Sequence, residues 1–263
     1  MKVFGDQMNR TVRVVDKPLR IVSLVPSQTQ LLHFLGVGER VVGITKFCIH
    51  PKEWHSSKTR VGGTKSVNIE KVKSLAPDLI IGNKEENTIE DFKALEQVAP
   101  VWMSDVFTLD DALEMIRSIG ALTSTEDKAS QQIGSIESSF LKLERFTKNS
   151  SCTDKRALYY IWRKPNMVSG KHTFVDDMLQ KCGLLNATDD ERYPEVNALD
   201  DTPDYVFLSS EPFPFKERHI DEFKDLFPES KIVLVDGEMF SWYGSKLADA
   251  PDYFERLMKK IVA

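Results

Sequence analysis

A short motif that occurs in both halves of the chain does most to limit its possible folds. Residues 77–81, Pro-Asp-Leu-Ile-Ile, and residues 203–207, Pro-Asp-Tyr-Val-Phe, each place an apolar run directly after Pro-Asp. Acidic residues then follow at matching places, after that run and at the end of the next predicted strand: Glu85 and Asp105 in the first half, Glu211 and Asp236 in the second. Because matched features recur in the same order, the sequence predicts two related lobes.

Apolar runs rich in β-branched residues surround both copies of the motif. They are continuous rather than alternating in polarity, which is typical of strands buried on both faces of a parallel sheet. The predicted strands are Arg20–Leu24, Val41–Thr45, Leu79–Gly82, Val101–Met103, Ala157–Trp162, Tyr205–Ser209 and Ile232–Asp236. Helical segments separate them, and this alternation predicts an α/β fold with parallel central sheets.

Two short helices of the first half carry recognisable start signals. A helix is predicted at Gln28–Leu35, with Ser27 and Gln30 as a capping box. Another is predicted from Ile69 to Leu75, with Asn68 as its cap.

A longer amphipathic segment lies in the middle of the chain. Between Thr125 and Phe146 the apolar residues step by three or four positions: Ala129, Ile133, Ile136, Phe140 and Leu143. One helix of about 20 residues and about 30 Å is predicted. The pattern alone also fits an ordinary surface helix, but the mid-chain position favours a connector. The predicted domains are an N-terminal lobe at 1–122, a connecting helix at 123–148 and a C-terminal lobe at 149–263.

Composition excludes several classes of protein. The 263 residues are 41% hydrophobic and 29% charged with a net charge of −5, which suits a chain that buries a sizeable core. No apolar run approaches the roughly 20 residues of a membrane span. Charges of both signs are scattered, which argues against nucleic-acid binding. Cys48, Cys152 and Cys182 are unclustered, so neither a disulfide framework nor a zinc motif is indicated. Nucleotide-loop, serine-hydrolase and zinc-protease motifs are absent, and the spacing of the five histidines does not assemble a nucleophile–base–acid set.

In open parallel sheets, ligands bind beyond the carboxyl ends of the strands. The candidate ligand-binding residues at these places are Lys46, Phe47, His50, Lys84, Glu85 and Glu86 in the first half, and Trp162, Arg163, Glu211, Phe213, Glu238, Phe240, Trp242 and Tyr243 in the second. Exposed aromatic rings in such loops suit a macrocycle or another large planar ligand. Packing of the rings under a loop is the alternative.

Charged and soft side chains in the same loops suggest further roles. Arg163 is a candidate clamp for a carboxylate or phosphate, although charges after strands are common on surfaces. Cys48 and His50, with His55 nearby, are candidate ligands for a metal ion. A single thiol and imidazole at this spacing do not make a zinc motif, so ordinary packing is the alternative.

Three segments of the first half resemble the helical-backbone (TroA-like) substrate-binding proteins of ABC importers, and within them the periplasmic cobalamin-binding type. They are Arg20-Ile-Val-Ser-Leu-Val-Pro-Ser, Leu35-Gly-Val-Gly-Glu-Arg-Val-Val-Gly, and Asn68-Ile-Glu-Lys-Val continuing through Leu75-Ala-Pro-Asp-Leu-Ile-Ile. The resemblance implies two α/β lobes joined by a single long helix, with the ligand in a cleft between the lobes. It also implies a monomer that docks on ABC permease subunits through one glutamate per lobe. Glu70 matches the first of these, and Asp200 or Asp201 are candidates for the second.

The beginning of the chain and the resemblance imply different locations. The start, Met-Lys-Val-Phe-Gly-Asp, has neither the apolar core nor the cleavage site of a secretory leader. The resemblance implies a periplasmic or cell-surface protein, whereas Met1 as the native start implies a cytoplasmic one.

Together these features predict a binding protein, without turnover, that captures a large metal chelate for an ABC importer. Corrinoid, haem and ferric siderophore are the expected ligand types, and no covalent cofactor is expected. The alternatives are a receptor for a bare metal ion, bound by Cys48, His50 and carboxylates, and an intracellular corrinoid carrier or enzyme.

Overall fold

The computed structural model describes residues 1–148, 154–196 and 202–262. They form two compact units. The first consists of Met1–Val106, Asp110–Ser135 and Tyr243–Lys246, and the second of Phe107–Leu109, Ile136–Trp242 and Leu247–Ala263. The prediction of an α/β protein with two lobes is confirmed, while the predicted boundaries at 122 and 148 stay a prediction. Within the described ranges, no helix combines the length and the apolar character needed to cross a membrane.

The first half contains nine strands and six α-helices among the described residues. The strands are β1 (Lys2–Gly5), β2 (Thr11–Val14), β3 (Ile21–Ser23), β4 (Val41–Ile44), β5 (Thr59–Arg60), β6 (Gly62–Gly63), β7 (Ser66–Val67), β8 (Leu79–Asn83) and β9 (Val101–Ser104). The helices are α1 (Pro26–Phe34), α2 (Lys52–Ser57), α3 (Ile69–Ser74), α4 (Ile89–Leu95), α5 (Leu109–Thr123) and α6 (Glu126–Thr147). The central sheet has the order β5-β4-β3-β8-β9 with every neighbouring pair parallel.

The second unit is built on another five-stranded sheet. Its strands are β10 (Arg156–Trp162), β11 (Met167–Val168), β12 (Leu185–Asn186), β13 (Tyr205–Ser209) and β14 (Lys231–Val235). β10, β13 and β14 are neighbours in parallel, β12 pairs in parallel with β10, and β11 pairs antiparallel with β10. The helices are α7 (Phe174–Lys181), α8 (Ile220–Leu226), α9 (Gly237–Ser241) and α10 (Ala250–Val262).

The repeated Pro-Asp motif has the same structural role in both units. The carboxylate of Asp78 accepts the backbone N–H groups of Leu19, at 2.8 Å, and Arg20, at 2.9 Å, just before β3. The carboxylate of Asp204 accepts the backbone N–H of Arg156, at 2.8 Å, where β10 begins. Each aspartate therefore caps the start of the strand beside its own, which aligns the amino ends of that sheet.

The long amphipathic helix is observed as α6, Glu126–Thr147, in agreement with the prediction. All five apolar residues of the predicted stripe are buried, between 0% and 7% exposed: Ala129, Ile133, Ile136, Phe140 and Leu143. The Asn68 cap is also confirmed, since its side chain accepts the backbone N–H of Lys71 at 2.9 Å.

The predicted capping box of the first helix is wrong. α1 begins at Pro26, with Val25 as its N-cap and no capping side chain. Proline suits the first helical position because its missing N–H would have no partner there. Ser27 is therefore inside the first turn and is only 3% exposed.

The N-terminal hairpin closes one edge of the first sheet. β9 is the last strand in the sheet order, so one side of its backbone has no strand partner among the described residues. Gln7 donates its backbone N–H to the Met103 carbonyl at 3.1 Å, and its side-chain oxygen accepts the Asp105 N–H at 3.2 Å. The Arg10 guanidinium donates to the Val101 carbonyl at 3.1 Å. These contacts protect an edge that would otherwise be open to pairing with another chain.

Candidate functional site

The carboxyl ends of β3, β4, β8 and β9 form what we call the first edge, which rests on a buried network of amides and hydroxyls. Ser104 Oγ accepts hydrogen bonds from Gln28 Nε2, at 2.6 Å, and from Asn83 Nδ2, at 2.9 Å. Asn87 Oδ1 accepts the backbone N–H of Asn83 at 2.9 Å, and Asn87 Nδ2 donates to the Thr64 carbonyl at 3.0 Å. Polar groups that are buried but bonded in this way order the loops above them.

This network positions the loop that follows β8. Asn83 Oδ1 accepts the backbone N–H groups of Glu85, at 2.8 Å, and Glu86, at 3.1 Å. Both glutamates are half-buried. Lys84 forms an ion pair with Asp105 at 2.6 Å. Three of the predicted ligand-binding residues are thus brought to one loop, with the cation already neutralised by a protein carboxylate.

The loop after β4 presents the most exposed aromatic ring of the first edge. Phe47 is 51% exposed, and Lys46 Nζ lies 5.0 Å from the centre of its ring. Ile49 is 47% exposed, and His50, the next residue, is half-buried. This loop therefore offers an apolar face beside a positive charge.

Cys48 in the same loop faces inward, which corrects its interpretation as a metal ligand. The side chain is fully buried and its sulfur shares hydrogen bonds with Thr29 Oγ1, at 3.1 Å, and Thr45 Oγ1, at 3.2 Å. Burial raises the pKa of the Cys48 thiol, although these two hydrogen bonds act in the opposite direction. A thiol held protonated is a poor ligand, because metals bind the thiolate. Among the residues that the structure describes, no three His, Cys, Asp or Glu side chains group to hold a metal ion, at His50 or elsewhere.

The carboxyl ends of β10, β13 and β14 form the second edge, where exposed Trp162 packs against half-buried Phe213. Trp162 is 40% exposed, and its ring packs edge-on against that of Phe213, with the ring centres 5.8 Å apart. The backbone N–H of Phe213 donates to the Ile161 carbonyl at 3.2 Å, which attaches the loop after β13 to the end of β10. The structure therefore brings these two predicted ligand-binding residues together.

Arg163 pairs with a protein carboxylate, and its role as a clamp for a ligand stays a prediction. Its Nε lies 3.0 Å from both carboxylate oxygens of Glu222 in α8, and its Nη2 lies 2.6 Å from one of them. The hydrogen bond to Arg163 lowers the pKa of Glu222, and the same bond raises the pKa of Arg163. Sequence reasoning missed Glu222, because 59 residues separate it from Arg163 and only the fold brings them together.

Glu211 is held by the last residue of α9 and the residue directly after it. Its Oε1 accepts hydrogen bonds from Ser241 Oγ, at 2.5 Å, and Trp242 Nε1, at 3.0 Å. Burial raises the pKa of Glu211, and the charges of Glu238 and Asp236 raise it further against the effect of these two bonds. Glu238 itself is half-buried in the first turn of α9.

The expected exposure of the aromatic residues around α9 is wrong. Phe240 is fully buried, and its ring lies 4.6 Å from Phe254, 5.1 Å from Tyr159 and 6.1 Å from Phe207. Trp242 and Tyr243 are 6% and 7% exposed. Asp236 caps this five-residue helix by accepting the backbone N–H of Glu238, which turns Phe240 toward the core.

The proposed permease-docking residues fall partly outside the described residues. Glu70 is exposed in the first turn of α3, directly after the Asn68 cap. Asp200 and Asp201 lie outside the residues that the structure describes, as does Cys152.

Comparison with known sequences assigns the chain to a family. The sequence model of the periplasmic binding protein family matches residues 21–229. The uncharacterized ABC transporter substrate-binding lipoprotein YvrC of Bacillus subtilis is 30% identical over 193 residues, covering 71% of this chain and 60% of that protein. The vitamin B12-binding protein of Pectobacterium carotovorum is 24% identical over 181 residues, covering 67% of this chain and 64% of that protein. The chain thus spans less than two thirds of the length of either relative.

Comparison with solved structures agrees on the fold. The periplasmic heme-binding protein RhuT from Roseiflexus sp. RS-1 matches with a TM-score of 0.80 at 18% identity, covering 93% of this chain and 99% of that one. A likeness at this identity shows the fold alone. The family match covers most of the chain and includes both copies of the Pro-Asp motif. The chain therefore belongs to the periplasmic binding protein family.

Proposed function

We propose that this protein is the substrate-binding component of an ABC importer and captures a large metal chelate without chemical turnover. The family match over residues 21–229 is the observation that carries the proposal. Relatives and structural neighbours are named for vitamin B12 and for heme, which are both large metal-containing macrocycles. A corrinoid, haem or ferric siderophore is therefore the ligand class, bound as cargo and not as a covalent cofactor.

The two exposed aromatic rings of the edges support this ligand class. Phe47 and Trp162 each present a flat apolar face, and at Phe47 the cation Lys46 lies beside the ring. Large aromatic side chains provide much contact area with little loss of conformational freedom, which suits a planar ligand. Half-buried Glu85, Glu86, His50 and Glu238 supply polar contacts at the same edges.

The partner and location follow from the same proposal. Delivery to an importer requires docking on permease subunits, and exposed Glu70 is the docking residue proposed for the first unit. The place of action is the periplasm or the cell surface, where importers receive their cargo. The relative YvrC is named a lipoprotein, which is consistent with attachment at the cell surface.

Titration of the purified protein with cyanocobalamin, haemin and ferrioxamine B, followed by tryptophan fluorescence, tests the proposal. We expect saturable binding of at least one probe at micromolar concentration. Phe47→Ala and Trp162→Ala should weaken it by about tenfold each, as expected when a stacked aromatic contact of about 1–1.5 kcal/mol is lost. Phe34→Ala is the matched control, since Phe34 is 42% exposed but lies at the opposite end of α1 from the first edge. Absence of saturation with all three probes would reject the proposal.

A further inference from the structure

The segment that follows β13 is held by a buried histidine. His219 ends a short 3₁₀ helix, Glu217–His219, and is 5% exposed. Its Nδ1 accepts the backbone N–H of Lys216 at 2.9 Å. Its ring centre lies 5.5 Å from that of Phe213 and 5.7 Å from that of Phe215. The imidazole is thus the contact that joins the end of this segment to its aromatic beginning.

The hydrogen bonds of His219 leave no place for a second proton. A neutral imidazole accepts at one nitrogen and carries its proton on the other. N–H groups point at both ring nitrogens: the backbone N–H of Lys216 donates to Nδ1 at 2.9 Å, and Arg218 Nε donates to Nε2 at 3.3 Å. Because a neutral ring accepts at only one nitrogen, the shorter bond keeps Nδ1 as the acceptor, and the ring proton on Nε2 displaces the longer bond from Arg218. Protonation at Nδ1 would set an N–H against the N–H of Lys216 and cost that bond. It would also place a positive ring beside the Arg218 guanidinium.

Most of the charged groups around the His219 ring lower its pKa. On its own segment they are Arg218 and Lys216, from the end of β10 Arg163 faces it, and from α8 Glu222 faces it. Burial lowers the pKa of His219, the charges of Arg218, Arg163 and Lys216 lower it further, and Glu222 alone raises it. Both oxygens of Glu222 are already bonded to Arg163, which limits its support of a protonated ring.

We propose that His219 is a positioning residue of the second edge: its neutral ring holds the Phe213–His219 segment in place, and its protonation releases Phe213 and the Trp162 surface, so that ligand affinity falls in acid. The ligand part of this inference rests on the proposed function. The connection runs through direct contacts, because Phe213 packs against both His219 and Trp162. The effect on the aromatic surface does not require any ligand.

The first experiment is therefore a pH titration of the ligand-free protein. The fluorescence of the wild type minus that of Trp162→Phe, followed from about pH 8 to about pH 4.5, isolates the signal of Trp162 in the range where histidines titrate. We expect a transition below the ordinary histidine pKa. It should be lost in His219→Asn, whose side-chain oxygen can accept the Lys216 N–H but cannot be protonated. His172→Asn is the matched control, since His172 is an exposed histidine of the same unit.

The second experiment measures affinity for whichever of cyanocobalamin, haemin or ferrioxamine B binds, at about pH 7.5 and about pH 5.5. In acid, the wild type and His172→Asn should bind about threefold to tenfold more weakly, whereas His219→Asn should be insensitive to pH. His219→Phe, which removes the acceptor, should show weak binding at both pH values.

The outcomes separate this inference from the proposed function. If no probe binds, the proposed function fails, and the fluorescence titration still tests the role of His219. If a probe binds with the same pH dependence in the wild type and in His219→Asn, the positioning role is overturned while the proposed function stands. A fluorescence transition that is absent from the wild type, or that persists in His219→Asn, also overturns it.

Discussion

The two central sheets begin alike and end differently. At their amino ends, Asp78 and Asp204 each accept backbone N–H groups at the start of the neighbouring strand, two at Asp78 and one at Asp204. Eight residues after the motif proline, the matching glutamates have different roles. Glu85 is positioned through its backbone by Asn83, whereas the Glu211 side chain is bound by Ser241 and Trp242. The amino ends therefore carry the shared architecture, and the carboxyl ends carry what distinguishes each unit.

The largest expected change in stability comes from a buried aromatic residue beneath the second edge, and it is compared with that of an exposed aromatic residue at the first edge. Phe240→Ala removes a fully buried ring that packs against four other aromatic side chains, and should lower the free energy of unfolding by about 3–5 kcal/mol. Phe47→Ala removes a half-exposed ring and should change it by less than about 0.5 kcal/mol. Urea unfolding followed by circular dichroism measures both. Equal losses would show that Phe47 is a packing residue.

The next effect tests whether the two amino ends are equivalent. Asp78→Ala leaves the backbone N–H groups of Leu19 and Arg20 without their carboxylate acceptor, and Asp204→Ala leaves that of Arg156. Each substitution should lower the free energy of unfolding by about 1–2 kcal/mol near neutral pH. Although burial opposes it, hydrogen bonds from Lys155 and Arg156 lower the pKa of Asp204. The contribution of Asp204 is therefore present above its unfolded-state pKa and is lost as the pH falls through the lower folded-state value.

The free energy of unfolding is measured from about pH 7 down to about pH 2. As the contribution of Asp204 is lost in acid, the difference between the wild type and Asp204→Ala should shrink to zero. Asp204→Ala and Asp78→Ala should lower the free energy of unfolding by similar amounts near neutral pH, because each aspartate caps the start of the neighbouring strand. If only one of the two variants lost stability, the matching aspartates would not contribute equally to the stability of their units.

A smaller change in stability, which depends on pH, is expected at Glu211 in the second edge. Because burial raises the pKa of Glu211 above its unfolded-state value, the favourable contribution of its protonated form is complete below the unfolded-state pKa and is lost as the pH rises through the folded-state pKa. Glu211→Gln keeps an acceptor for Ser241 and Trp242 without the buried charge. It should therefore be more stable than the wild type at about pH 8 and lose this advantage at about pH 4.

Ser241→Ala is the matched control, since it removes a donor that stabilises the ionised carboxylate of Glu211. It should cost more stability at about pH 8 than at about pH 4, the reverse of the Glu211→Gln result. A Glu211→Gln variant that is less stable than the wild type at the higher pH would contradict the account of a penalised buried charge.

The sequence predicted the strands and the long helix, but not the side-chain contacts at the carboxyl ends of the sheets. Continuous apolar runs located the buried strands, and the stripe from Ala129 to Leu143 located α6, because local patterns determine both. The interpretation of Cys48, the partner of Arg163 and the burial of Phe240 were missed, because each depends on a distant residue or on which face of a short element is turned inward. Thr29 lies 19 residues from Cys48, and Glu222 lies 59 residues from Arg163. No local spacing encodes such contacts.

The smallest expected effect compares the ion pairs that close the two edges, Lys84 with Asp105 and Arg163 with Glu222. Glu222→Gln removes a two-pronged pair that is about one third exposed, so solvent screening limits the loss to about 0.5–1 kcal/mol. Because the hydrogen bond to Arg163 lowers the pKa of Glu222, this loss should appear near neutral pH and vanish as the pH falls through the folded-state pKa. Asp105→Asn breaks the single contact to Lys84, whose side chain is 51% exposed, and should cost less than Glu222→Gln. Unfolding experiments in low and in high salt measure both stability losses. High salt screens the charges, so each variant should differ less from the wild type there. A larger loss for Asp105→Asn would instead place the tighter electrostatic constraint at the first edge, above the amide network of Gln28, Asn83 and Ser104.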